Sequence, residues 1–274
     1  MSIKNILVHV SSDEKEDFQL NVAIELALKY GAHLCGLYVI QRLNLPTYAG
    51  AYIPSGVLQA HEEAEQERAE KVQAEFSAMV DKAGCTSEWH CVQGYSDQQI
   101  NLYGRYADLI VVGQEEEHNV LSNEISVEDH ILIDSARPIL FVPYIGTSLP
   151  IGKRILVAWN GSREAVRAIS DAMPFLKQAE LVEVVSVSKS SEQDDDSLTN
   201  ICKFLKYHNV NTEAHHVVSK DISVADTLLS RSADHNIDLL VMGAYGHSRL
   251  REYIFGGATH YMLQHMTIPV LMSH

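Results

Sequence analysis

Late in the chain, Gly243-Ala244-Tyr245-Gly246 is followed by nine residues and then by Gly256-Gly257-Ala258-Thr259, which opens a helical stretch. Glycine lets the backbone approach a ligand closely. A glycine pair at a helix start leaves the first-turn amides free, and the helix dipole adds positive potential, so this spacing suits an anion such as a phosphate. His247, Arg249 and Arg251 in the intervening loop supply further charge. A second turn, Asn160-Gly161-Ser162, follows another apolar run, and Ser162 is placed to cap a helix. Glycine-rich turns also serve as plain turns, so the elements around them decide what they do.

Other chemistries lack their residues. There is no G-x-S-x-G elbow, no G-x4-G-K-[S/T], no G-x-G-x-x-G and no S-G-G-x-D-S. Fourteen histidines raise the question of a metal. His215 and His216 are adjacent on an expected strand and point to opposite faces, while His260 and His265 are five apart and miss a shared helix face. Cys35, Cys85, Cys91 and Cys202 show no C-x-x-C and no zinc spacing, and read as reduced structural thiols. No metal site is therefore expected. Asp221 and Asp226 fall near a helix start, where capping or solvation is the default, and His9 ends the first strand as a buried, hydrogen-bonded histidine.

The positioning elements come from a repeat with a period near 150 residues. Lys4-Asn5-Ile6-Leu7-Val8-His9-Val10 returns as Lys153-Arg154-Ile155-Leu156-Val157-Ala158-Trp159. Gly31-Ala32-His33-Leu34 returns as Gln178-Ala179-Glu180-Leu181, and Ala107 to Gly113 returns as Ile237 to Gly243. Arg137 to Val142 returns as Thr267 to Met272. Four matches in one order mean duplication, with a connection at 144–150 and domains at 1–147 and 151–274. In the second half strands are expected at 153–159, 181–187, 212–218, 238–242 and 269–272, with helices at 162–177, 195–208, 222–235 and 257–266. The runs 155–159 and 239–242 are apolar on both faces, as central parallel strands require. The fold class is α/β, with two repeated doubly wound five-stranded parallel sheets. The first half adds a loop from Gln41 to Ser55, holding Tyr48, Tyr52 and Pro54, and a long acidic helix from Val57 to Asp81. Its apolar stripe is Val57, Ala64, Ala69, Val72, Phe76 and Met79. In such sheets ligands bind at the carboxyl ends of strands where the winding reverses, which is where the glycine turn falls.

Length and charge set the outer bounds. The 274 residues suit one large or two small domains, and 46% hydrophobic with 21% charged residues is ordinary globular composition. A formal net charge of -15 repels a nucleic-acid duplex. No apolar run spans a bilayer, and the first residues do not form a signal peptide, so a soluble cytoplasmic protein is expected.

With Gly243, Gly246 and Gly256 at the spacing G-x2-G-x9-G, and Thr267 to Met272 as a closing strand, the whole chain resembles a tandem universal stress protein. The resemblance implies an adenine nucleotide alpha hydrolase-like fold and ATP, alone or with Mg, at the strand ends. Carried over position by position, Met242 and Gly243 line the ribose, while Gly246, Gly256, Gly257, Ala258 and Thr259 hold the phosphates. Asn160 stands where the family has an aspartate near the adenine and ribose, and Ser186 presents backbone to the adenine. Ala158 and Tyr245 complete the expected site. Gly257 replaces a hydroxyl residue but keeps its amide. The resemblance also implies pairing through final strands, within the chain as a pseudo-dimer and between chains as a homodimer, and a stress-response regulator with a protein partner still to be named. A nucleotide-free structural or small-molecule-binding module and a slow ATP hydrolase are the alternatives.

The first half departs from this pattern. Gly113 is kept, but Glu116 within Gln114-Glu115-Glu116-Glu117 takes the next glycine's place, and the later glycine pair aligns with Ile125-Ser126. Residues 1–147 hold 9 bases and 22 acids, net -13, against 12 and 14, net -2, in residues 148–274. Carboxylates where phosphates should lie repel them. One nucleotide site is expected, in the second half.

Overall fold

The computed structural model describes residues 2–11, 17–41, 55–114, 126–189, 196–246 and 257–274. Gly256, the His247–Arg249–Arg251 loop, Glu116 and the Tyr48–Tyr52–Pro54 segment lie outside them. The first half runs β1 (Asn5–His9), α1 (Phe18–Tyr30), β2 (His33–Gln41), α2 (Ser55–Ala83), β3 (Ser87–Gly94), α3 (Ser96–Gly104), β4 (Leu109–Gly113), α4 (Val127–Asp134) and β5 (Ile139–Val142). The second half repeats it: β6 (Arg154–Ala158), α5 (Arg163–Asp171), α6 (Met173–Leu176), β7 (Leu181–Ser188), α7 (Asp196–Tyr207), β8 (Glu213–Val218), α8 (Val224–Asp234), β9 (Leu239–Gly243), α9 (Ala258–His265) and β10 (Val270–Ser273).

The ten strands form one sheet in the order β3-β2-β1-β4-β5-β10-β9-β6-β7-β8. Neighbours are parallel except at the middle, where β5 and β10 pair antiparallel with Leu140 opposite Leu271. The final strands therefore join the halves, and two expected sheets become one. Within each half the winding reverses between the first and fourth strands, so the two crevices open beside the ends of β1 and β4 and of β6 and β9.

Alternation along the strands divides the core. Ile155 and Val157 face one side, under α1, α2, α5, α6 and α7; Leu156 faces the other, under α3, α4, α8 and α9. Both layers run across the seam, where Tyr30 meets Phe175 edge-on at 5.5 Å.

Two expectations are corrected. The stretch 162–177 is two helices, because Pro174 lacks the N–H that a continuous helix needs and its ring crowds the preceding turn. Ala64 on α2 is exposed, while Ala69, Val72 and Phe76 further along the stripe are buried, where the helix reaches β2 and β3; the Val57 side chain lies outside the described residues.

Candidate functional site

Strand register brings the expected residues of the second half together. Ala158, last in β6, lies opposite Met242 of β9 on one side and Val185 of β7 on the other. Ser186 follows Val185, and Gly243 follows Met242, so all four border one crevice at the carboxyl ends. Gly243 is held against α5: a β-carbon there would sit 2.4 Å from the Ala165 nitrogen. Gly246 also overlies this helix start, where a β-carbon would stand 3.0 Å from Glu164 Oε2 and 3.2 Å from Ser162 Oγ.

The turn after β6 uses its own side chains. Asn160 is exposed, and its Oδ1 accepts from the Ser162 N–H at 3.0 Å. Ser162 caps α5 as expected, its Oγ accepting from the Ala165 N–H at 3.2 Å. Glu164, which no sequence motif marks, is buried beside this cap and pairs with Arg163. Burial pushes its carboxyl upward, yet hydrogen bonds from Arg163 and its own amide outweigh that and hold it below the ordinary carboxylate range.

At the other wall, Gly257 caps α9 with no side-chain acceptor for the first-turn amides. Ala258 is exposed and Thr259 is buried, its Oγ1 accepting from the Tyr245 N–H at 3.3 Å. Thr259 thus ties the two ends of the glycine loop together. Tyr245 has φ of 52°, and its hydroxyl donates to Asp129 Oδ1 in the first half.

The corresponding place in the first half is filled from within. Ser126, at the position of Gly257, caps α4 and forms a capping box with Asp129. The Asp129 carboxylate sits at that helix start, where the second half, among the described residues, has no side-chain cap. It also reaches across the seam, with His260 Nδ1 2.8 Å from its Oδ2. Gln114 makes a parallel bridge, its Nε2 donating to the Leu263 carbonyl at 2.7 Å. Neither Asp129 nor Gln114 stands out in the sequence as a site residue, although Ser-x-x-Asp ahead of an apolar run signals the cap. His9 ends β1 where Ala158 ends β6, and burial lowers its pKa to about 4, leaving it neutral.

No helix among the described residues is long and apolar enough to cross a membrane. Residues 152–274 match the Universal stress protein family. Universal stress protein Slr1230 of Synechocystis sp. is 30% identical over 122 residues, which is 43% of this chain and 41% of that relative. The chain thus spans less than half the length of this curated relative. A universal stress protein structure from Archaeoglobus fulgidus superposes with a TM-score of 0.80 at 18% identity, over 99% of this chain and 96% of that one. A putative universal stress protein from Pseudomonas aeruginosa superposes at 0.63 and 17% identity, over 99% and 93%. Residues 152–274 thus match the universal stress protein family, and the first half repeats the fold of that region.

Proposed function

We propose that the second half, acting as residues 151–274, binds an adenine nucleotide, ATP alone or with Mg, and that the chain works as a cytoplasmic stress-response regulator. The observation that carries this reading is the difference between the two equivalent helix starts. The start of α4 is closed by its own Ser126 and Asp129, whereas that of α9 has Gly257 as its cap and, among the described residues, no side-chain cap. Bare first-turn amides beside a strand-end crevice suit a phosphate. Ala158, Ser186, Met242 and Gly243 would border the base and ribose, and the backbone at Gly246, Gly257 and Ala258 would hold the phosphates. Residues 1–147 would then be the partner that reads the site, because Tyr245, inside the glycine loop, hydrogen-bonds Asp129. A nucleotide there changes what holds the seam.

Two observations favour a nucleotide-free module instead. Asn160 is already engaged by its own turn, and the Glu164 carboxylate lies under Gly246. One experiment separates the readings. Acid extraction of the purified protein, with the supernatant assayed for adenine nucleotides, is followed by ATP titration of wild type and Gly246→Glu. A second carboxylate beside Glu164 should weaken ATP at least about tenfold, or about 1.4 kcal/mol. Equal affinities, or no binding by wild type, remove the second-half assignment. Phosphate release that survives the substitution is not this site's chemistry.

A further inference from the structure

At the outer edge of the first half, far from the glycine loop in the strand order, β2 and β3 bring three different ligand types onto one face. Cys35 lies directly opposite Glu88, and His90 follows two residues later on the same side of the pleat. That side is the one covered by α3, whose Tyr103 packs on the His90 ring with centroids 4.9 Å apart. One ligand atom from each residue (the Cys35 sulfur, a Glu88 oxygen and a His90 ring nitrogen) falls within 4.8 Å of the other two. His90 Nε2 is 3.6 Å from Glu88 Oε1. The group is closed on the inside, where Cys35 is buried, and open to solvent at Glu88.

We propose that Cys35, Glu88 and His90 bind a divalent cation of the zinc class, with three protein ligands and a fourth tetrahedral position left to water. Zinc takes sulfur at about 2.3 Å and nitrogen or oxygen at about 2.0–2.2 Å. Tetrahedral ligands at those lengths stand roughly 3.3–3.7 Å apart, so small side-chain rotations close the observed spacing. A thiolate beside an imidazole selects zinc or cobalt over magnesium and calcium, which prefer oxygen alone. Without metal, the thiol proton occupies the place: burial and then the Glu88 charge push Cys35 up to about 12, and its S–H bonds Glu88. Bound metal would instead clamp the edge strand β3 to β2.

The comparable group Glu183, Glu213 and His215 differs in that its buried carboxylate is already engaged. Both oxygens of Glu183 are taken, one by Arg231 and one by His235. A guanidinium already does there what a metal would do.

The test uses the full chain, stripped of metal with a chelator. Zinc is titrated against a chromophoric competitor, and cobalt is followed through the thiolate-to-cobalt charge-transfer absorption in the near ultraviolet. One equivalent with that band is expected for wild type and for Cys91→Ser, whose thiol is on β3 with Glu88 and His90 but on the opposite face. Cys35→Ser should lose the band, and His90→Gln should weaken zinc at least tenfold with unchanged circular dichroism. A band missing from wild type, a band that persists in Cys35→Ser, or zinc held equally by His90→Gln would each overturn the site. His90 is half-buried at the sheet edge, so its variant reports even if Cys35→Ser folds poorly.

Discussion

Gly243 and Gly246 share a motif but answer to different constraints. At Gly243 a methyl group would meet the Ala165 nitrogen at 2.4 Å and the Glu164 carbonyl carbon at 2.5 Å, both backbone that cannot step aside. Gly243→Ala should therefore push β9 off α5 and cost about 1–3 kcal/mol, seen as a lower urea midpoint with an unchanged slope. At Gly246 the neighbours are the tips of Glu164 and Ser162, which can turn away, so substitutions there should alter binding and leave the midpoint nearly in place. His9 makes the opposite kind of statement, about charge. Its folded pKa of about 4 lies below the ordinary 6.5, so the unfolded chain takes up the proton first. The stability this provides is full above pH 6.5 and drains as pH falls toward 4, by about 3 kcal/mol at most over that window. His9→Gln should flatten that part of the stability–pH curve; an unchanged slope would mean His9 is not buried neutral.

Element by element, the strands were the most legible part of the sequence. Ile155-Leu156-Val157 and Leu239-Leu240-Val241 are apolar at every position because helices cover both faces, whereas a strand with one wet face would alternate. The break at Pro174 was also written in the sequence, but the surrounding apolar spacing hid it. Long-range polar partners left no comparable trace. Glu183 lies midway along β7, where an apolar residue would be expected, and only the fold reveals its partners: Arg231 Nε at 2.9 Å and His235 Nδ1 at 2.6 Å, both presented by α8 and its end. Likewise the candidate site's glycines could be read from spacing, whereas Glu164 beneath them and Asp129 across the seam depend on packing. Burial alone would raise the Glu183 carboxyl; bonds from His235 and Arg231 overcome this and lower it. Its contribution is therefore present above pH 4.5, the ordinary value, and is lost as pH falls below it. Arg231→Met leaves a buried carboxylate facing only the imidazoles of His235 and, at 3.9 Å, His215 among the described residues, and should cost about 2–4 kcal/mol, with acid unfolding beginning at higher pH. Adding Glu183→Leu should recover most of that loss, since the pair costs desolvation that apolar packing avoids. No recovery in the double variant would show that the pair organises α8.

For the molecule as a whole, the question is whether two copies of a fold behave as one body. Each half alone would leave an unpaired final strand, a row of free N–H and C=O groups. Here β5 and β10 cover each other, Leu140 facing Leu271 across what is in effect a two-fold axis. Around that axis, Gln114 bonds the Leu263 carbonyl, Asp129 holds Tyr245 and His260, and Arg167 donates to the Ala136 carbonyl at 2.6 Å. Both core layers continue through the seam, so separating the halves exposes apolar surface as well as buried polar groups. The chain holds two tryptophans, Trp89 on β3 and Trp159 beyond β6, one in each half. Single-tryptophan forms made by Trp159→Phe and Trp89→Phe should give coincident urea transitions, because neither half can open without disrupting the seam. Gln114→Ala with Asp129→Ala removes two of the side-chain bridges, taking the Asp129 carboxylate from Tyr245 and His260, at about 0.5–1.5 kcal/mol for each hydrogen bond lost. With a slope of about 1–3 kcal/mol per molar urea, the two tryptophan transitions should then part by roughly 0.5 M or more. Transitions already separate in the wild-type background would mean that the seam docks two independent units, and a signal at the glycine loop would then have no mechanical route into the first half.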